Sequence, residues 1–373
     1  LRFAGKIIDE NATGTTFKEV SGKEMKKVPL PLPPLPEQRR IVAKLDALMK
    51  LCDILEAQQV QQQETRTDLS NAALTALTEA EDVATFNDAW KFITDNFNDI
   101  FDSYENVAAL RQTVLQLAVK GRLVSQDPAD EPASVLLERI TIEKKRLMKD
   151  GVLGKTKSLP SVREDEIPYP APEGWVWTKL GSITNFGPKN GYSAVAVDSP
   201  SNTKCLTLTA TTYGSFNPNY YKYIDENIES DSDLWLEEGD LLIQRGNSLD
   251  YVGISAVYSG PSHDFIYPDL MMKIKFPEDV DAHFASMVIN SPVSRCYFRQ
   301  KASGTASSMP KVNQAIVNNL LFPLPPLAEQ HRIVAKVDAL MALCDELEAR
   351  IRKRQEVQTK LLESIITELT TQG

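Results

Sequence analysis

The sequence predicts an α+β protein in which long paired helices, a coiled-coil spacer, carry a mixed, β-rich domain. Three observations predict it. A proline-led heptad segment occurs twice, the stretch after its first copy has a helical pattern, and short strand patterns crowd the region before its second copy. With 373 residues the chain has room for two or three domains of ~100–200 residues each. Hydrophobic residues at 42% and charged residues at 25% exclude a disordered chain and a fibrous repeat. No apolar run approaches the ~18 residues that cross a bilayer, so no membrane is expected.

The first element is the repeat. Pro31-Leu-Pro-Pro-Leu-Pro-Glu-Gln-Arg-Arg-Ile-Val-Ala-Lys returns as Pro323-Leu-Pro-Pro-Leu-Ala-Glu-Gln-His-Arg-Ile-Val-Ala-Lys, and 22 of 27 positions agree between 31–57 and 323–349. The prolines favour extended polyproline geometry, so a helix starts after them. Apolar residues then alternate at four and three: Ile41, Leu45, Leu48, Cys52 and Leu55 in copy one, Ile333, Val337, Leu340, Cys344, Leu347 and Ile351 in copy two. This is a heptad seam. Each seam turns polar (Gln59, Gln62, Arg66; Arg354, Gln358) and then apolar again (Leu69, Ala73, Ala76; Leu361, Ile365). The shared interruption predicts that the two helices pair with each other, since a buried polar group needs a partner. A helix over 41–77 would span ~55 Å.

The middle, 78–150, reads as helical, with Phe86, Trp90, Phe92, Phe97, Phe101 and Tyr104 set among acids and expected to pack on the helical pair. Gly151 ends it, and 151–173 reads as a linker. From Gly174 strands are predicted at Trp175–Leu180, Cys205–Thr209, Asp240–Gln244, Val252–Tyr258 and Met271–Phe276, then a helix over 282–301 broken near Pro292.

The chemistry-bearing patterns are sparse. Four scattered cysteines without CxxC spacing read as reduced thiols, and three histidines outside any ligand pattern leave no metal site. Gly154-Lys155-Thr156 lacks the glycine that a phosphate loop needs at 149 and follows a helix. Asn217-Pro218-Asn219-Tyr220 lacks the second proline of the amino-methylating methyltransferase motif, and no methyl-donor loop precedes it. No cofactor is expected, and the chain reads as a binding protein rather than an enzyme. Its net charge is −10, yet 282–328 holds no acid and four bases, Arg295, Arg299, Lys301 and Lys311. Such a stretch can serve as a phosphate footprint.

Taken together, the paired Pro-Leu-Pro-Pro-Leu-x-Glu-Gln segments, Leu110-Arg-Gln-Thr-Val-Leu-Gln-Leu-Ala-Val-Lys-Gly-Arg, Asp127-Pro-Ala-Asp-Glu-Pro, Pro172-Glu-Gly-Trp and Gly304-Thr-Ala-Ser-Ser-Met-Pro-Lys resemble the specificity subunit of Type I restriction–modification systems. The resemblance implies two target recognition domains, each reading half of a split site on double-stranded DNA. It implies an antiparallel helical pair that sets the gap between the half-sites. It also implies modification (methyltransferase) subunits, joined by a restriction subunit, in the cytoplasm. By this resemblance 1–35 is the end of a first recognition domain, 36–167 the first helical spacer, 168–322 a complete recognition domain and 323–373 the second spacer. With one recognition domain incomplete, self-association is expected as an option. A coiled-coil scaffold that binds protein is the alternative, favoured by the net charge of −5 on 168–322.

Base readout needs polar side chains on loops, and phosphate contact needs cations. Four loops supply them: Lys189, Asn190, Tyr192 and Ser193; Thr211, Thr212 and Tyr213; Gln244, Arg245 and Asn247; and Lys301, Ser303, Thr305, Ser307 and Lys311.

Overall fold

The computed structural model describes residues 20–29, 32–151, 159–193, 195–303 and 309–371. The chain divides into two compact units, Leu1–Arg66 and Thr67–Gly373. Helix α1, Leu35–Glu79, begins directly after the prolines and runs through the boundary between them. In the first unit its start is fastened locally, with Gln38 Nε2 donating to the Pro33 carbonyl at 2.7 Å. The seam residues Ile41, Leu45, Leu48, Cys52 and Leu55 are all exposed there, Ile41 at 52%.

The second unit opens with helices α2 (Val83–Asp95), α3 (Tyr104–Val119) and α4 (Ala133–Lys149). Asp82 caps α2 by accepting from Thr85 N at 2.8 Å, and Ser103 caps α3 by accepting from Asn106 N at 3.3 Å. Phe86, Phe97, Phe101 and Tyr104 join the end of α1 (Ala73, Leu74, Leu77) in an apolar cluster, as the sequence suggests. Trp90 and Phe92 are instead exposed.

The β-rich region follows: β1 (Val176–Lys179), β2 (Phe186–Asn190), β3 (Thr203–Leu206), β4 (Tyr221–Ile224), β5 (Leu241–Gln244), β6 (Ser255–Val257) and β7 (Met271–Lys275). Helices α5 (Ala282–Asn290) and α6 (Pro292–Lys301) break where Pro292 requires it, since proline is tolerated in the first turn of a helix and not inside one. Helix α7 (Gln314–Asn318), strand β8 (Leu321–Leu324) and helix α8 (Leu327–Thr371) complete the chain. The central sheet is antiparallel in the order β2-β7-β5-β6, while β1 pairs with β8 and β3 with β4. The second proline run thus departs from the expected polyproline segment. Pro323 sits in β8 opposite Trp177, where its missing N–H is tolerated on a two-stranded edge.

The core lies between the sheet and the helices. Leu241, Ile243, Met272 and Ile274 from the sheet meet Val114 and Ala118 of α3, Leu136 and Ile140 of α4, Phe284 of α5, and Ile333 and Val337 of α8. The second seam is covered within its own unit. Ile333 and Val337 are buried, and Leu340 is half-buried, against α3 and the β-rich region, because α3 presents its own apolar stripe to them. Cys344 and the half-buried Leu347 share a cluster with the end of α1, at Ala73, Leu74 and Leu77. Arg111 of α3 adds ion pairs to Asp345 at 2.5 Å and Glu348 at 3.2 Å.

The start of α8 is a polar lock. Buried Glu329 accepts from the Trp175 indole N–H at 2.9 Å and from Gln126 Nε2 at 3.1 Å. Buried Gln330 donates to Pro325 O at 3.1 Å and accepts from Asp281 N at 2.9 Å. Arg332 pairs with Asp130 at 2.6 Å. Burial pushes the Glu329 carboxyl above its usual range, partly offset by these two donors.

Candidate nucleic-acid interface

Asn190 ends β2, Gln244 ends β5 and Met271 begins β7, and the register places them at one edge of the central sheet (Asn190↔Met272, Gln244↔Met271). The loops leaving this edge are tied side by side. Tyr192 N donates to Tyr267 O at 2.9 Å and Asp269 N to Tyr192 O at 3.1 Å. On the other side of this segment, Arg245 N donates to Leu270 O at 2.7 Å. Next, Val312 N donates to Arg245 O at 2.9 Å and Asn247 N to Pro310 O at 3.3 Å. Last, Ser303 and Lys311 exchange two backbone bonds of 2.9 Å. The edge therefore runs, in order, through 190–193, 267–270, 245–247, 309–312 and 303. The approach is close at two glycines, and at Gly191 it leaves no room for a side chain. A Cβ on Gly191 would run into the Tyr267 carbonyl oxygen, and one on Gly246 would lie 3.0 Å from the Leu270 side chain and 3.3 Å from that of Lys311.

The fourth loop joins through one side chain. Gln244 is fully buried (0% exposed), because β5 lies between β7 and β6 and buries both faces. Its Nε2 lies 2.8 Å from Leu208 O, 3.1 Å from Thr211 Oγ1 and 3.2 Å from Thr212 Oγ1, two N–H groups shared among three acceptors. Its Oε1 accepts from Asn247 Nδ2 at 2.6 Å. Gln244 is thus internal structure and not an exposed reader, which corrects the expectation from sequence. Thr211 is buried in the same network, and Thr212 is half-buried. Tyr213, the next residue, stands 81% exposed.

The remaining residues divide by what already holds them. Asn247 is half-buried, donates to Gln244 and accepts from Ser248 N at 2.7 Å. Lys189 pairs with Asp233. Tyr192 is half-buried and packs beside Cys205, Ile224 and Ile266, with Glu226 as the partner that raises its hydroxyl pKa. Asn190 Oδ1 is buried, and Ser193 is exposed. Arg245 is half-buried, and its Nη1 reaches the Asp269 carbonyl oxygen at 3.4 Å. Lys301, Ser303 and Lys311 are exposed. Thr305 and Ser307 lie outside the described residues.

Two of the four bases in the acid-free stretch have internal work. Arg295 donates to Val252 O at 2.6 Å and Asp250 O at 2.9 Å, and burial lowers its pKa to about 10. Arg299 pairs with Asp250 at 3.6 Å. Sequence reasoning missed one further feature beneath the edge. Lys273, buried at the centre of the sheet, donates to Trp235 O at 2.7 Å and lies 3.4 Å from Asp240 Oδ2. Burial pushes the Asp240 pKa up and that of Lys273 down. No sequence signal distinguishes these two from surface charges. Among the described residues no group of three His, Cys, Asp or Glu could hold a metal ion, and no helix is long and apolar enough to cross a membrane.

An edge of exposed polar, aromatic and cationic side chains on rigidly tied loops can grip a phosphate backbone and present donors to base edges. Comparison with known proteins gives this geometry a family. The family model for the Type I restriction modification DNA specificity domain matches residues 1–64 and 172–358. The Type I restriction enzyme EcoEI specificity subunit of Escherichia coli is 31% identical over 353 residues, which are 93% of this chain and 59% of that protein. The EcoAI specificity subunit of Escherichia coli is 34% identical over 345 residues, 90% of this chain and 57% of that protein. The chain thus spans 57–59% of the length of these two relatives. A chain from a structural study of complex assembly and conformational transition of the type I R-M system has a similar fold, with a TM-score of 0.51 at 17% identity over 97% of this chain and 66% of that one. The chain belongs to the Type I restriction modification DNA specificity domain family.

Proposed function

We propose that this chain reads DNA sequence for a Type I restriction–modification complex. It does so without a chemical step of its own and without a cofactor. Residues 168–322 act as a target recognition domain on one half-site. Helical regions 36–167 and 323–373 space that domain along double-stranded DNA and receive the modification (methyltransferase) subunits, to which a restriction subunit is added. Residues 1–35 are the end of another recognition domain, self-association is the route by which a second reader joins, and the cytoplasm is the place of action.

The observation that carries this reading is the convergence of four loops, far apart in sequence, on one sheet edge that displays Tyr213, Arg245 and Lys311. In the complex assembled with modification subunits, Arg245→Ala should weaken binding to the preferred duplex by ~1–3 kcal/mol if it contacts a guanine edge. Lys311→Ala should lower affinity evenly across sequences and flatten the salt dependence by about one unit of slope. Salt-dependent binding isotherms on a preferred and a scrambled duplex check both. Unchanged isotherms in two folded variants would assign the DNA contact elsewhere and leave this domain as a protein-binding scaffold.

A further inference from the structure

We propose that Gln244 is a positioning residue that makes the two halves of this edge read as one device. The inference rests on the DNA-reading role proposed above and deepens it.

The turn Leu208–Thr211, which leads through Thr212 to Tyr213, also packs Leu208 and Ala210 in an apolar cluster with Leu242 of β5 and Met271 of β7. It contributes Leu208 O, Thr211 Oγ1 and Thr212 Oγ1 to one amide, Gln244 Nε2. The same amide, through Oε1, holds Asn247, whose backbone N–H reaches Pro310 O and so continues into the Lys311 loop. One buried planar group therefore sets the spacing between an exposed aromatic ring on one side and two cations on the other. A glutamine suits this position because its carbonyl and amino groups face opposite ways from one rigid plane, accepting on one side and donating on the other. A buried amide without these partners would be costly, so the two turns are coupled through it in addition to the packing and backbone bonds that each makes elsewhere. Gln244 itself, enclosed on both sheet faces, has no route to a base.

The expected signature is a loss of discrimination without a loss of grip. The probe is a randomised duplex library, enriched on the chain assembled with its modification subunits and then sequenced. Tyr213→Ala should erase preference at one set of base positions and Arg245→Ala at another. Gln244→Leu should blur both sets while affinity for unselected duplex, which depends on the intact cations, stays within about twofold of the parent. Thr212→Val, which removes one acceptor at a half-buried site, is the second variant should Gln244→Leu not fold. It should weaken the Tyr213 set first. A motif in Gln244→Leu and Thr212→Val as sharp as the parent's, or erosion confined to the Arg245 set, would overturn the positioning role. An unmutated complex that enriches no motif would instead overturn the DNA-reading role.

Discussion

Copy one and copy two of the repeat share 22 of 27 residues and occupy opposite surroundings. In copy two, Ile333 is fully buried, Val337 and Cys344 nearly so, Glu329 binds an indole and an amide, and Asp345 and Glu348 receive Arg111. In copy one the matching Ile41, Leu45, Cys52 and Glu37 are exposed. Asp53 and Glu56, which match Asp345 and Glu348, are exposed as well. The difference lies in what is packed alongside. Copy two follows about 250 residues of chain that bring α3, Trp175 and α5 onto its apolar stripe. An amphipathic pattern specifies which face of a helix wants to be covered, and tertiary context decides by what.

The largest expected contrast is in packing. Ile333→Ala should cost about 2–5 kcal/mol, the range for emptying a tight core site, whereas Ile41→Ala should stay within about 0.5 kcal/mol. Urea unfolding of the two variants measures this, and equal losses would show that copy one is covered in solution. The thiols sharpen the comparison. Cys344 is buried, and burial pushes its pKa up, while Cys52 is exposed. Cys52 should therefore react with a maleimide at least about 100-fold faster than Cys344, whose labelling must wait for local opening. Peptide mapping by mass spectrometry after timed quenching reads both sites, and similar rates would break the contrast.

The smallest effect is electrostatic. Because burial raises the folded-state pKa of Glu329, the fold disfavours its ionised form. That cost is absent below the unfolded-state value of about 4.3, grows as pH rises through it, and is complete above the folded-state value. Glu329→Gln should flatten this part of the stability profile between pH 4 and 7. Unfolding midpoints of the variant that run parallel to the parent's across that range would contradict the burial argument.

Much of the architecture was legible. The prolines mark the starts of α1 and α8, Pro292 marks the break between α5 and α6, and the strands at β1, β5, β6 and β7 fall inside the stretches their apolar residues indicate, while β3 only overlaps its stretch at Cys205 and Leu206. Strands β2, β4 and β8 were missed, since Gly187-Pro-Lys and Leu321-Phe-Pro-Leu carry the composition of turns and extended coil, and only their partners Met271–Lys275 and Val176–Lys179 make them strands. The four loops were legible singly. Their convergence was not, because it depends on strand order. Gln244 was misread for a definable reason: a polar residue at the end of a strand suggests an exposed edge, and this strand is interior. What covers the second seam was likewise not legible, since nothing in the heptads of α8 announces that α3 packs on Ile333 and Val337.

One small bond appears in both copies whatever surrounds them. Gln38 reaches back to Pro33 O at 2.7 Å, and Gln330 to Pro325 O at 3.1 Å, each five residues upstream. This clasp ties the extended proline lead to the first helical turn before any neighbour arrives. A surface that is already stiff surrenders little freedom when something settles on it, so more of the contact energy survives as affinity. In both copies the turn from proline lead to helix is thus set by the segment's own residues.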